Sequence, residues 1–141
     1  LARAPLWNAG KDYNHGTGHG VGCFLNGHEG PQRISRSNGA YPLAAGMITS
    51  VEPGYYEENR YGIRIENLVE ITDAAPELPA GYLKFKNLTL IPIDKRLINK
   101  YLLNDGEIDW LNNYHRQVEE ALSPYLTAAE RNWLQEACSP L

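Results

Sequence analysis

Residues 14–31, NHGTGHGVGCFLNGHEGP, constrain what this chain can fold into more than any other stretch. His15, His19 and His28 are threaded on Gly16, Gly18, Gly20 and Gly22. Glycine costs backbone entropy in any regular element, so a segment this rich in it demands unusual dihedrals or close backbone approach. Imidazole is the commonest neutral metal ligand and the side chain most readily poised to carry a proton near neutral pH. Histidines held on a tight glycine framework therefore read as a site before they read as scaffold. The plainer alternative is three unrelated loop histidines. A zinc-binding helix pair at His15 and His19 fails on Gly16 and Gly18, each costing about 1 kcal/mol in a helix.

At 141 residues the chain has the size of one ordinary domain and can bury a core. With 43% hydrophobic and 21% charged residues it falls among soluble globular proteins rather than disordered ones. A net charge of −4 and a pI near 5.5 argue against nucleic-acid or anionic-membrane partners. Cys23 and Cys138 sit near opposite ends without a disulfide framework, which makes a reducing, cytoplasmic setting the expectation. No apolar run approaches the roughly 20 residues that a membrane span needs. Residues 1–7 (LARAPLW) read as the tail of a helix entered midway, with Asn8-Ala9-Gly10 as its stop. The only methionine is Met47, so a piece of a longer protein is expected, with an active site divided by the cut.

Beyond the histidine segment, residues 32–41 form a polar connector without periodicity, carrying Arg33, Ser35, Arg36, Ser37, Asn38 and Gly39. Residues 47–52 are expected to be a strand ended abruptly by Pro53-Gly54. Residues 61–72 (YGIRIENLVEIT) give the clearest strand pattern. By its period of two, Ile63, Ile65, Val69 and Ile71 share one face with Asn67, and Arg64, Glu66, Leu68 and Glu70 share the other. This strand is expected to run antiparallel to residues 47–52. After an acidic loop, residues 82–93 suggest another strand region with Pro92 near its end. Residues 95–103 have helical spacing and Asn104-Asp105-Gly106 breaks it. Ile108, Leu111, Tyr114, Val118 and Leu122 then mark a second helix. Thr127 and Glu130 form a capping box that opens a last helix, with Trp133, Leu134 and Ala137 inward. Trp110, Leu111, Tyr114, Trp133 and Leu134 are expected to form a satellite core. The layout is α+β: a β-rich, site-bearing part at residues 1–93 and a helical part at residues 94–141.

Two carboxylates lie within the strand pattern, Glu52 at a strand end before Pro53-Gly54 and Glu66 between isoleucine and asparagine. A carboxylate in a hydrophobic strand is costly unless paired or bound to a cation. A salt bridge from Arg64 is the structural alternative for Glu66, and a solvated turn is the alternative for Glu52. Together with a histidine on a glycine-rich strand, the two favour a divalent metal site. Mixed histidine and carboxylate ligands suit Mn, Zn, Co or Fe better than Ca or a thiolate-bound metal.

HGTGHGVGCFLNGHEGP, PLAAGMITSVEPGYY and YGIRIENLVEIT closely resemble the catalytic half of aminopeptidase P, the Xaa-Pro aminopeptidase group of the pita-bread metallopeptidases. The resemblance continues through LTLIPID and DWLNNYH, and so covers essentially the whole chain. It implies the second half of a pita-bread fold, with an antiparallel sheet and the helical C-terminal extension of the long forms. The implied activity is hydrolysis of the first peptide bond of peptides with proline second. The implied cofactor is a pair of divalent metals, usually manganese, with zinc and cobalt as alternatives, holding the attacking hydroxide. By motif, His19 and Glu52 match ligands of one metal, and Glu66 matches a carboxylate shared by both. His28 matches a histidine that contacts the substrate or the tetrahedral intermediate. His15 matches one lining the proline-side pocket, and Arg64 with Tyr56 a hydrogen-bonding network that orients a metal-binding aspartate.

One departure is large. The resemblance calls for two further aspartate ligands and an upstream histidine, and none of Asp12, Asp73, Asp94, Asp105 or Asp109 has the required strand context. At most one metal and no independent activity are therefore expected of this chain, with the missing N-terminal half of the same protein as its partner. A homodimer contact through the C-terminal helices is also implied. A prolidase-like dipeptidase or methionine aminopeptidase shares the ligand types, and a non-catalytic pita-bread binding module is the alternative from another class.

Overall fold

A computed structural model describes residues 2–37 and 41–141, which fall in two compact units, Leu1–Thr89 and Leu90–Leu141. Asn38 and Gly39 of the polar connector, and Leu1 of the opening helix tail, lie outside the described residues.

The first unit is built on antiparallel pairing. Strands β3 (Ile48–Val51), β6 (Asn67–Asp73) and β7 (Leu83–Asn87) form one sheet in the order β3-β6-β7. Val69 and Ile71 of β6 are buried at its centre. A hairpin of β4 (Gly54–Glu57) and β5 (Tyr61–Arg64) forms a second sheet. Residues 61–72 are therefore not one strand, and the chain does not stop at Pro53-Gly54. It enters β4, which the sequence pattern did not suggest. The register explains both differences. Val51 pairs with Asn67 and Gly54 pairs with Arg64, so the two sheets follow one ribbon interrupted where Glu52 and Pro53 face Ile65 and Glu66. Pro53 accepts from the Ile65 N–H at 3.4 Å but has no N–H to return, so the ladder lapses there. The ribbon turns through Glu58-Asn59-Arg60, with Asn59 at φ 59°, a left-handed conformation that asparagine tolerates.

A short pair, β1 (Gly18–His19) with β2 (Arg33–Ile34), lies along β3 through a bridge between Gly20 and Thr49. Glycine is required at this crossing: a β-carbon on Gly18 would overlap the Ser50 carbonyl oxygen. Helix α1 (Ala4–Asn8) precedes the pair and ends at Gly10, φ 68°, as its sequence implies. Arg3 is buried there, its guanidinium 3.7 Å from the Tyr13 ring centroid and bonded to Asp12 and to the Tyr13 and His15 carbonyls. The Trp7 side chain and the Tyr13 N–H, with Arg3, lower the Asp12 pKa to about 2.

The second unit packs α2 (Asp105–Leu122) on α3 (Ala128–Cys138). Leu111, Tyr114, Val118, Leu134 and Cys138 make its core. Asn104-Asp105-Gly106 starts α2 rather than ending a helix, because Asn104 and Glu107 close a capping box. The expected box at Thr127 and Glu130 opens α3. Residues 95–103 form two 3₁₀ turns, Lys95–Leu97 and Lys100–Leu102, instead of a helix. Asp94 and Asn99 each cap the turn that follows, and Leu97, Tyr101 and Leu102 are exposed, so no apolar stripe is buried to sustain a longer helix. Trp110 and Trp133 are 52% and 63% exposed and do not join the core; only Leu111, Tyr114 and Leu134 of the expected set do. No helix among the described residues is long and apolar enough to cross a membrane.

Candidate metal centre

The ribbon register places Glu52 opposite Glu66. Ile65 bonds to Pro53 and Ile71 to Met47 through backbone, so Glu52 and Glu66 form an intervening pair without ladder hydrogen bonds, where cross-strand side chains come closest. By the period of two, Ser50, Glu52, Gly54 and Tyr56 share that face with Gly62, Arg64 and Glu66. β1 then brings His19 to the same place. One ligand atom each from His19, Glu52 and Glu66 lies within 4.8 Å of the others. Glu52 is 8% exposed, and its Oε1 stands 3.0 Å from His19 Nε2.

The donor set fits a divalent cation. His19 Nδ1 lies 2.9 Å from the Gly20 carbonyl, which can only accept, so Nδ1 carries a proton and Nε2 is the nitrogen whose lone pair the neutral ring would offer a cation. That lone pair faces a carboxylate oxygen, and a second carboxylate opposes the first across the ribbon. Three converging acceptors repel one another unless a cation stands among them. One imidazole nitrogen and two carboxylates suit Mn, Zn, Co or Fe.

Around this cluster the side chains form one connected network. Arg64 Nη1 lies 3.4 Å from Glu52 Oε2, so the ion pair considered between Arg64 and Glu66 is made instead with Glu52. Arg64 Nε–H donates to the Tyr56 hydroxyl at 2.8 Å, and that hydroxyl lies 2.8 Å from His15 Nε2. His15 Nδ1 lies 2.7 Å from the Gly16 carbonyl, so Nε2 is the acceptor and Tyr56 the donor. The Tyr56 hydroxyl, then the charges of Glu52 and Glu66, raise the Arg64 pKa above its ordinary value. A β-carbon on Gly62 would come within 2.7 Å of the Tyr56 ring, so glycine there lets the ring lie flat and reach both partners. The His28 ring packs on His19 with centroids 4.1 Å apart. Glu29, beside it in sequence, accepts from Asn26 at 3.1 Å.

All seven residues singled out in the sequence, His15, His19, His28, Glu52, Tyr56, Arg64 and Glu66, are thus linked by contacts within the first unit. Two others were passed over. Thr49 Oγ1 donates to the His19 carbonyl at 2.9 Å. Ser50 accepts from the His19 N–H at 3.0 Å and donates to Glu52 Oε1 at 3.2 Å. Both are fully buried. The available signal was two adjacent hydroxyls in a short strand ending on a candidate ligand.

Comparison with known proteins agrees with this arrangement. The model for "Metallopeptidase family M24" matches residues 1–73, and that for "C-terminal region of peptidase_M24" matches residues 81–141. Aminopeptidase P2 of Arabidopsis thaliana is 51% identical over 148 residues, aligning 100% of this chain and 21% of that protein. A probable Xaa-Pro aminopeptidase P of Coprinopsis cinerea is 48% identical, aligning 99% of this chain and 24% of that protein. The crystal structure of an X-prolyl aminopeptidase from Caenorhabditis elegans, described as a cytosolic enzyme with a di-nuclear active site, superposes with a TM-score of 0.88. It is 44% identical and aligns 99% of this chain with 23% of that one. The fold is therefore the expected α+β portion of a pita-bread enzyme, antiparallel sheets followed by C-terminal helices. The chain spans between a fifth and a quarter of the length of these relatives.

Proposed function

The chain belongs to metallopeptidase family M24, and on that premise we propose that it supplies one wall of the active centre of an Xaa-Pro aminopeptidase. The substrate is a peptide with proline in second position, and the reaction is hydrolysis of the bond before that proline. The observation that carries this reading is the convergence of His19, Glu52 and Glu66 within 4.8 Å on a ribbon register that sets the carboxylates face to face. These three side chains would hold divalent metal, two ions in the complete centre, with manganese first and zinc or cobalt as alternatives. Bound there, the metals would polarise the scissile carbonyl and acidify a water.

The remaining residues orient and bind. Arg64, held by Tyr56, neutralises the outer oxygen of Glu52 and fixes its rotamer. His15, its proton committed to the Gly16 carbonyl, presents a flat ring to the proline side. His28, whose ring packs on His19, would donate to oxygen charge developing at the substrate carbonyl. His19, Glu52 and Glu66 bring two negative charges, enough for one cation rather than two, so the chain holds at most one metal and is not active by itself. The partner wall comes from a preceding half of the same protein. In this reading residues 1–93 are the catalytic portion and residues 94–141 the long-form extension, whose exposed Trp110 and Trp133 pair two copies. The setting is cytoplasmic, as described for the Caenorhabditis elegans relative.

The test is hydrolysis of X-Pro and X-Ala peptides, with metal analysis, by the full-length protein and by the 141-residue chain. The full-length protein should cleave X-Pro peptides longer than two residues and carry two metals. Cleavage of dipeptides alone would favour a dipeptidase. Turnover by the isolated chain, abolished in His19→Ala, would refute the divided-site reading.

A further inference from the structure

Among the groups around the cluster, Ser50 has both of its hydrogen-bonding functions directed at proposed ligands. Its oxygen receives the His19 backbone N–H at 3.0 Å, and its hydroxyl proton points to Glu52 Oε1 at 3.2 Å. The directions follow because an N–H can only donate and an ionised carboxylate can only accept. We propose that Ser50 is a positioning residue of the metal centre, its hydroxyl clipping the backbone of one ligand to the carboxylate of another. The proposal rests on the metal reading above and assigns a residue that this reading does not require.

Three features separate this from ordinary strand packing. First, the His19 N–H faces β3, and it is the Ser50 side chain that receives it. The spacing of β1 from β3 at the site is thereby tied to a side chain that also holds Glu52. Second, Oε1 is the oxygen that lies 3.0 Å from His19 Nε2, so Ser50 holds the same carboxylate oxygen that faces the imidazole nitrogen. Third, the strands cannot relax apart to compensate. Glu52 N–H donates to the Thr17 carbonyl at 2.7 Å, and Gly18 lies against the Ser50 backbone too closely for a β-carbon. Thr49 offers an internal contrast: it is equally buried and also bonds His19, but its hydroxyl is directed at the backbone carbonyls of His19 and Ser50 rather than at a carboxylate of the cluster.

The experiment uses the full-length protein carrying this sequence, titrated with Mn2+ by the loss of the free-ion paramagnetic signal. Unfolding is followed in parallel in chelator. Ser50→Ala and Thr49→Val each remove one hydroxyl from the same strand and should lower metal-free stability by similar amounts. Only Ser50→Ala should weaken Mn2+ binding, by about tenfold to a hundredfold, the range typical of losing a group that orients a ligand. With Co2+ in place of Mn2+, its ligand-field bands should shift in Ser50→Ala and not in Thr49→Val. If Ser50→Ala does not fold, Ser50→Cys keeps the size with a weaker donor and should show a smaller loss in the same direction. Mn2+ affinity within threefold of the parent in the variant that folds, or an equal loss in Thr49→Val, would overturn the proposal. Failure of the metal reading looks different: the parent itself would not bind Mn2+, or His19→Ala would bind it unchanged, and the proposal would fall with it.

Discussion

Glu66→Gln should change the sign of its effect on stability when metal is added. The ligand atoms of Glu52 and Glu66 lie within 4.8 Å, and two unit charges at that separation repel by about 0.9 kcal/mol in water-like screening or about 3.5 kcal/mol at an effective dielectric of 20. Glu66 is exposed, so the lower figure applies. The substitution also removes the attraction of Glu66 for Arg64, the weakest of the influences that raise the Arg64 pKa and smaller than that of Glu52. The Arg64–Glu52 pair, at 3.4 Å, stays in both proteins and drops out of the difference. What remains is a gain of about half a kcal/mol for the neutral variant in chelator at low salt, shrinking as salt is added. With Mn2+ at about a hundred times its dissociation constant, the parent gains about 2.7 kcal/mol by mass action. A glutamine amide at this position supplies no charge to the cation, so the variant should gain far less and become the less stable protein. Urea unfolding of both proteins in chelator and in Mn2+ reads all four values. Greater stability of the parent in chelator would refute the repulsion argument, and an equal Mn2+ gain in both would remove Glu66 from the ligand set.

Two further outcomes concern the second unit. His115 is fully buried and its Nε2 accepts from Ile93 N–H at 3.0 Å, while burial, then the Lys95 charge, lower its pKa against a smaller opposing effect of that bond. A lowered folded value means that its contribution is complete above about pH 6.5 and is lost as pH falls from there through the folded value, at no more than about 1.4 kcal/mol per pH unit. The reading is the difference between the pH profiles of the parent and His115→Gln; identical profiles would exclude it. Thr127→Ala removes the N-cap of α3 and should cost about 1 kcal/mol in thermal unfolding. The Thr127 hydroxyl is also the main cause of the lowered Glu130 pKa, so the Glu130 carboxyl should titrate nearer its ordinary value by NMR in that variant.

The candidate ligands were legible because each violates a local rule. Histidines on glycines and carboxylates inside strand patterns are expensive as scaffold, so their residue types alone pointed to a site. The shared face of Arg64 and Glu66 followed from the period of two. What could not be read was the pairing. Glu58-Asn59-Arg60 carries none of the two-residue turn signals, so neither β4 nor the register that opposes Glu52 and Glu66 was visible. Arg64 consequently found Glu52 across the ribbon rather than Glu66 along it. In the second unit the stripe Leu111, Tyr114, Val118 locates α2, but Trp110 and Trp133, expected in the satellite core, are more than half exposed. Trp110 stacks parallel on Tyr114 with centroids 5.6 Å apart while half of it faces outward. Hydrophobicity says what a side chain gains by burial, not which side of a helix has a neighbour.

The break at Pro53 is where local rules and the site meet. A continuous ladder would hold residues 52 and 66 in a regular pleat, with both glutamates fixed by sheet geometry alone. Proline removes one donor, and the backbone of Glu52 is then secured from the other side, by its N–H to Thr17 of the glycine-rich segment. The same strand end therefore answers to two partners: the ribbon sets which carboxylates oppose, and the segment bearing His19 sets how deeply Glu52 sits. Ser50 bonds across that division, and Arg64 closes it from the hairpin side. A cation held by His19, Glu52 and Glu66 would tie all three segments at once. Without it, the two carboxylates push on the one place where the ladder is already incomplete. Metal affinity and local stability are on this account a single quantity, set by how firmly the strand ends are held before the ion arrives.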